Sequence, residues 1–144
     1  MPSFRRNTRD GSFTLNIDLA TTILDAAGIH APHPKMHGKD IAHLYLPSHS
    51  VPPSTLVPTN HSQWRQEFFY EFQLDKHREQ IPACTALVRK DFKYISWPQF
   101  RYEQLFHLTV DPLLEQNDLA NQSEYKSLLM EMRDWHNELK QSVL

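Results

Sequence analysis

The sequence predicts an α+β fold: a small antiparallel sheet of about four strands, packed against a carboxy-terminal helix. A short helix and a Pro/His-rich connecting segment precede that sheet. Three observations lead there. Four short runs rich in aromatic and β-branched residues succeed one another after residue 66. Two of them flank Lys90-Asp91, a pair suited to a tight hairpin turn. The end of the chain places its apolar residues at a helical period. Residues 1–60, with the short helix (about 18–27) and the connecting segment, are expected to stand apart from the sheet subdomain at 61–144.

The first element is the helix within Asn16–Gly28. Asp18 is placed to cap it by accepting from the free amides of the first turn. Leu19, Ile23 and Ala26 or Ala27 form one apolar face, and Gly28 permits the left-handed residue that closes the end. From Ala31 to Pro58 the chain carries six of its ten prolines, which lack amide donors and bias their predecessors away from helix. That stretch reads as extended loop, except for one or two helical turns within Gly38–Leu46. Beyond Pro47 it reads as a linker.

The strands are Glu67–Phe72, Thr85–Arg89, Phe92–Trp97 and Tyr102–Leu108, with Pro98 stopping the third. After Asp111-Pro112 the segment to Asn121 is polar and turn-like, and Ser123 opens the last helix. Tyr125, Leu128, Leu129, Met132, Trp135, Leu139 and Val143 share one face of it, leaving Lys126, Glu131, Arg133 and Glu138 toward water.

Composition excludes several function classes. A chain of 144 residues is the size of one ordinary domain. Leu, Ile, Val and Phe make up a quarter of it, enough for a core rather than a disordered chain. The formal net charge of −2 rules out binding driven by overall basicity, and no nucleic-acid partner is expected. The bases and aromatics of Arg89–Tyr94 read as a hairpin tip kept soluble by charge. No stretch approaches 18 apolar residues, so no membrane span is expected. The start of the chain carries Arg5, Arg6 and Arg9 without an apolar run behind them, unlike a secretory signal. A frayed terminus is preferred over an organelle presequence, and the compartment stays unknown.

Nine histidines invite a metal reading, since His30, His33, His37, His43 and His49 fall within twenty residues. Pro32 and Pro34 break the helical spacing that would converge them, and no His-Glu-x-x-His arrangement occurs. Loop histidines are the better reading, and no metal site is assigned. Cys84 is the single thiol, with no base assignable by spacing, and reads as a small half-buried strand residue. With only Gly11, Gly28 and Gly38 there is no phosphate-cradling loop and no Gly-x-Ser-x-Gly elbow. No catalytic residue emerges.

Several phrases in order nevertheless resemble the carboxy-terminal region of type I, formylglycine-dependent sulfatases, the arylsulfatase-like family. Asn16–Ile29 resembles that family's Asp-Leu-Ala-Pro-Thr-Leu-Leu-Asp-Leu-Ala-Gly segment. Pro32, Met36, Gly38, Lys39 and Asp40 match the stretch after it. Trp64-Arg65 and Phe69-Tyr70-Glu71 are similar to Trp-Arg and Tyr-Tyr-Glu. Ala86–Arg89 with Phe92–Ile95 resembles the family's hairpin. Glu103–Leu108, Asp111-Pro112 and Glu115–Ala120 resemble its Glu-x-Leu-Tyr-Asp-Leu, Asp-Pro and Asn-Leu-Ala phrases. The match runs from about Asn16 to Leu139. It departs at Thr21, where proline is usual, and at His107, where aspartate is usual.

The resemblance implies the carboxy-terminal subdomain of an alkaline-phosphatase-like fold. In that family the catalytic half precedes this region. Its nucleophile is a formylglycine made from a Cys/Ser-x-Pro/Ala-x-Arg motif, beside a calcium ion. Cys84 does not qualify, because Val88 stands where the arginine belongs and Arg89 is one residue late. Calcium and formylglycine are thus expected of full-length relatives and neither of this chain. The resemblance therefore implies a part of a sulfuric ester hydrolase for sulfated sugars or glycans, inactive alone, whose partner is the amino-terminal catalytic domain. His37, Lys39 and Glu71 are the candidates for a substrate rim: Lys39 as a point charge for a sulfated sugar, His37 as a hydrogen-bonder to a hydroxyl. Solvated loop residues remain the plainer reading of all three. The alternative is a non-catalytic binding or oligomerisation module, whose first helix exposes an apolar stripe and favours self-association.

Overall fold

The computed structural model describes residues 9–29, 36–46, 64–73, 82–114 and 117–143. The chain divides into two compact units, Met1–Arg65 and Gln66–Leu144. The linker expected beyond Pro47 lies outside the described residues.

The second unit holds four strands: β1 (Glu67–Phe72), β2 (Cys84–Arg89), β3 (Phe92–Trp97) and β4 (Tyr102–His107). They form one antiparallel sheet in the order β1-β2-β3-β4, as the four runs predict. Lys90-Asp91 joins β2 to β3 in two residues. A single 3-10 turn, Pro98–Phe100, leads into β4, where Arg101 takes a left-handed φ of 48°. Strand alternation sorts the side chains into two faces. Leu87 stands opposite Tyr94, and Tyr94 opposite Leu105, so all three share a face. Ala86, Ile95 and Phe106 form a second buried cluster, with Cys84, Trp97 and Leu114 packed against it.

The exposed edge of β4 is closed by the segment that reads as polar and turn-like. Leu119 N–H donates to Leu105 O at 2.8 Å, and Leu105 N–H donates to Asp118 Oδ1 at 3.1 Å. Asp118 also accepts from Ala120 N–H and from the Tyr102 hydroxyl. The middle of that edge, at Leu105, is thereby closed to pairing with another chain.

Helix α3 (Lys126–Val143) lies on the Leu87 face, entered through a 3-10 turn at Ser123–Tyr125. Leu129 and Met132 join Leu87, Tyr94, Leu105 and Leu119 in the core, while Tyr125, Leu128 and Leu139 flank it. Burying a side chain such as Leu87 or Met132 contributes about 1.5–3 kcal/mol. Two expectations need correction. Arg133 does not point to water: it is half-buried and bridges Glu103, which reaches it from β4. Trp135 sits at the margin of the apolar face, 37% exposed, its indole N–H donating to Glu67 at 2.5 Å. Both arise from charged partners on the sheet that helical periodicity does not reveal.

His136, which the periodic pattern passes over, is buried in the helix–sheet contact. Its Nε2 lies 2.9 Å from the Thr85 hydroxyl, and its ring packs against Phe69 and Tyr94. Burial holds its pKa down, with Lys140 adding to that effect and Asn137 opposing it. The folded state therefore favours neutral imidazole. Its contribution to stability is complete above the unfolded histidine pKa of about 6.5 and is lost as pH falls through the lower folded value.

This packing is open to two tests. Met132→Ala is expected to lower the unfolding free energy in urea by about 2–5 kcal/mol. Stability measured by denaturant titration should decline below about pH 6.5. His136→Gln should flatten that decline, and an unchanged pH profile would contradict the role given to His136.

Candidate functional site

In the first unit, α1 (Ile17–Ala26) is followed by Gly28 at a φ of +66°, the left-handed closure that the sequence predicts. Its N-cap is Asn16, without a side-chain cap bond, so Asp18 is not the cap. Asp18 instead sits inside the first turn, fully buried, and serves as the hub of the unit.

A buried carboxylate is costly unless it is paired and hydrogen-bonded. Asp18 meets both conditions. Oδ2 accepts from Leu15 N–H at 2.7 Å and Oδ1 from Lys39 N–H at 2.8 Å. The Arg65 guanidinium grips both oxygens, Nη2 at 2.7 Å from Oδ1 and Nη1 on Oδ2. Such bidentate pairing matches the planar fork to the carboxylate. Burial alone would push the Asp18 pKa up, but Arg65 and the two amides outweigh it and hold the carboxyl below its ordinary range.

The clasp ties three stretches of chain together. Arg65 also reaches the carbonyls of Phe13 and His37, each at 3.4 Å, and the Trp64 indole donates to Phe13 O at 2.8 Å. Thr22, on the next turn of α1, donates to Asp18 O and accepts from Ile41 N–H. Between these contacts, Gly38 lies so close to α1 that a Cβ would fall 2.1 Å from Ile17 O. Asp40 then starts α2 (Ala42–Tyr45) by accepting from Ala42 N–H at 2.8 Å. Glycine at 38 is thus required by backbone approach.

His37 and Lys39 flank that glycine on the pinned loop. His37 is exposed and Lys39 half-buried, its ammonium 5.7 Å from the Trp64 ring centre. Arg65 stacks on the same ring at 5.5 Å. Both lie within cation–π range. Burial draws the Lys39 pKa down, Arg65 adds to this, and Asp18 opposes it. The third candidate, Glu71, belongs to the other unit, where it is exposed on β1 and lines a groove of about 380 Å³ with Cys84, Thr85 and Lys140. The Cys84 thiol is half-buried and its pKa is pushed up by burial, against the pull of Lys93, which makes it a poor nucleophile.

His30, His33 and His49 lie outside the described residues. Among the described residues no three His, Cys, Asp or Glu side chains converge as a metal site. Sequence reasoning singled out Lys39 and His37 but gave Arg65 no role. A partner 47 positions from Asp18 leaves no local signal beyond the Trp64-Arg65 phrase.

The model of a family described as N-sulphoglucosamine sulphohydrolase, C-terminal, matches residues 2–142. No curated protein sequence matches. Among solved structures, BT4656 in complex with its substrate D-glucosamine-2-N,6-O-disulfate is similar at a TM-score of 0.67 and 20% identity, over 86% of this chain and 23% of that one. A candidate sulfatase from Bacteroides thetaiotaomicron VPI-5482 is similar at 0.63 and 21% identity, over 84% and 23%. BT1596, a 2-O GAG sulfatase, gives 0.63 and 21%, over 85% and 23%. The chain therefore spans about a quarter of the length of these structures.

Removing one partner of a buried pair exposes its importance. Asp18→Ala, which strands Arg65, is expected to destabilise the first unit by about 3–5 kcal/mol in denaturant titration. A loss below 1 kcal/mol would show the clasp to be no more than a surface ion pair.

Proposed function

The chain belongs to the N-sulphoglucosamine sulphohydrolase C-terminal family, and from that premise we propose that it is the carboxy-terminal subdomain of a sulfuric ester hydrolase acting on sulfated sugars. The observation that carries this reading is the family match across 2–142, joined to a sheet and helix shared with sulfatase structures. The substrates of those relatives, D-glucosamine-2-N,6-O-disulfate for BT4656 and a 2-O-sulfated GAG for BT1596, support a sulfated sugar as the ligand class.

In this reading the chain itself performs no sulfuryl chemistry. None of its 144 residues belongs to a Cys/Ser-x-Pro/Ala-x-Arg segment. A sulfate ester's transition state spreads negative charge over several oxygens, so catalysis demands a strong nucleophile and fixed positive groups. Formylglycine and calcium would supply these in the catalytic domain, the partner in this proposal. This chain's contribution is support and a rim: His37 and Lys39 held at the edge of a pinned loop, able to meet a hydroxyl and a sulfate.

Helix α1 supports the docking role. Its buried residues are the polar Asp18 and Thr21, whereas Ile17, Leu19 and Ile23 are 44%, 55% and 67% exposed. An amphipathic helix normally turns its apolar stripe inward. Here the clasp on Asp18 turns the polar side in, and the apolar side is left for the catalytic domain to cover. The same stripe favours self-association of this chain when the catalytic domain is withheld.

Two measurements test the proposal. The purified chain should release no sulfate from an aryl sulfate ester, with or without calcium; calcium-dependent release would overturn the division of labour. Sedimentation should show reversible dimers that Leu19→Lys with Ile23→Lys converts to monomers. A monomeric parent chain would contradict the idea that this stripe demands a cover.

A further inference from the structure

We infer that the groove beside the last turn of α3 is a binding site for a sulfated amino sugar, whose ammonium meets Glu71 and whose sulfate meets Lys140. The carbohydrate character of that ligand rests on the proposed sulfated-sugar reading; the two opposite charges are the groove's own.

Register and helical period bring the two charges together. Glu71 stands opposite Thr85 in the β1–β2 ladder, so both side chains belong to the face that α3 covers. The Thr85 hydroxyl meets His136 Nε2 at 2.9 Å, and Lys140 lies one helical turn beyond His136. Glu71 and Lys140 therefore flank one buried contact, the first from the sheet and the second from the helix. Both line the groove of about 380 Å³, a size within the roughly 300–1,000 Å³ of small-molecule sites.

Elsewhere along this seam opposite charges find each other: Arg89 pairs with Glu67 and Glu131, and Arg133 with Glu103. At this end they do not. Among the described residues, no ion pair or hydrogen bond joins the side chain of Glu71 or Lys140 to the other or to any third group. An anion and a cation that share one opening without closing on each other suit a ligand that carries both charges in reverse. Gln73 adds an amide able to donate to and accept from hydroxyls, while Phe72 and Pro98 add apolar surface for ring carbons. One wall is held in advance, since Thr85 is buried against His136, which spares the ligand the entropy of ordering it.

The test uses the full chain, followed by NMR, with glucosamine 6-sulfate, glucosamine and N-acetylglucosamine 6-sulfate as probes. Glucosamine 6-sulfate should shift the amides of Thr85 and Lys140 saturably, and bind more tightly than the probe lacking the sulfate or the one lacking the ammonium. Lys140→Gln should weaken the two sulfated probes about two- to fivefold and leave glucosamine unaffected. Glu71→Gln should weaken the two amines about two- to fivefold and leave the N-acetyl probe unaffected. An unchanged Leu87 amide shift reports that each variant keeps the fold. No saturable binding of glucosamine 6-sulfate, no weakening in either variant, or equal weakening of all three probes overturns the inference. So does binding lost in Lys39→Met and intact in Lys140→Gln, which would keep the sulfated-sugar reading and move the ligand to the other unit. Taurine, which carries an ammonium and a sulfonate but no sugar, separates the remaining case. If it binds as tightly as glucosamine 6-sulfate, with the same dependence on Glu71 and Lys140, the sugar identity is overturned while the charged site stands.

Discussion

The buried carboxylate of Asp18 governs the first unit. Asp18 has no access to water, so the chain around it must provide what water would have supplied: opposite charge and four donors. Meeting that demand recruits residues near Leu15, Lys39 and Arg65, stretches far apart in sequence. The clasp organises a region whose described elements are one helix of ten residues and another of four. Such short helices owe little to propensity and much to tertiary contacts. It also turns α1 with its polar side inward, which is why apolar side chains remain on view.

The second unit rests on a different physics. Its main core cluster, from Leu87 to Met132, is close-packed between one sheet face and one helix. Charge enters at the margins, where Arg89 joins Glu67 and Glu131, and Arg133 joins Glu103. Half-exposed pairs of this kind contribute at most about 1 kcal/mol each, so they orient the helix more than they hold it. The Tyr94 hydroxyl shows how far burial reaches here: desolvation and the nearby Glu103 push its pKa up to about 12. His136, packed against the Tyr94 ring, brings a second titratable group into that contact.

The strands were legible because local sequence carries them. Aromatic and β-branched residues alternate over six positions, Lys90-Asp91 marks the turn, and Pro98 marks the stop; β1 and β3 fall where the runs do, and β2 begins one residue earlier, at Cys84. The final helix was legible for the same reason, its period being intrinsic to the segment. The clasp was not. Asp18 at a helix start has the local signature of a cap, and nothing within four residues distinguishes a cap from a buried hub. His136 was not legible either, because a histidine on an apolar stripe looks like an interruption until Thr85 is placed beside it. The sequence resemblance singled out Lys39 and His37 as candidates but not the ion pair that bonds their backbone.

Family membership and the clasp lead to one picture: a scaffold whose shape is held in advance. The apolar stripe of α1 and the fixed loop at Gly38 both derive from where Asp18 is forced to lie. The most direct measurement is the NMR titration of the Asp18 carboxyl carbon. The account predicts that its shift stays constant as pH falls through the ordinary aspartate value of about 3.9, changing only below it as the Arg65 pair gives way. A midpoint at or above that value would mean the carboxylate is not clasped, and the organisation described for this unit would not stand.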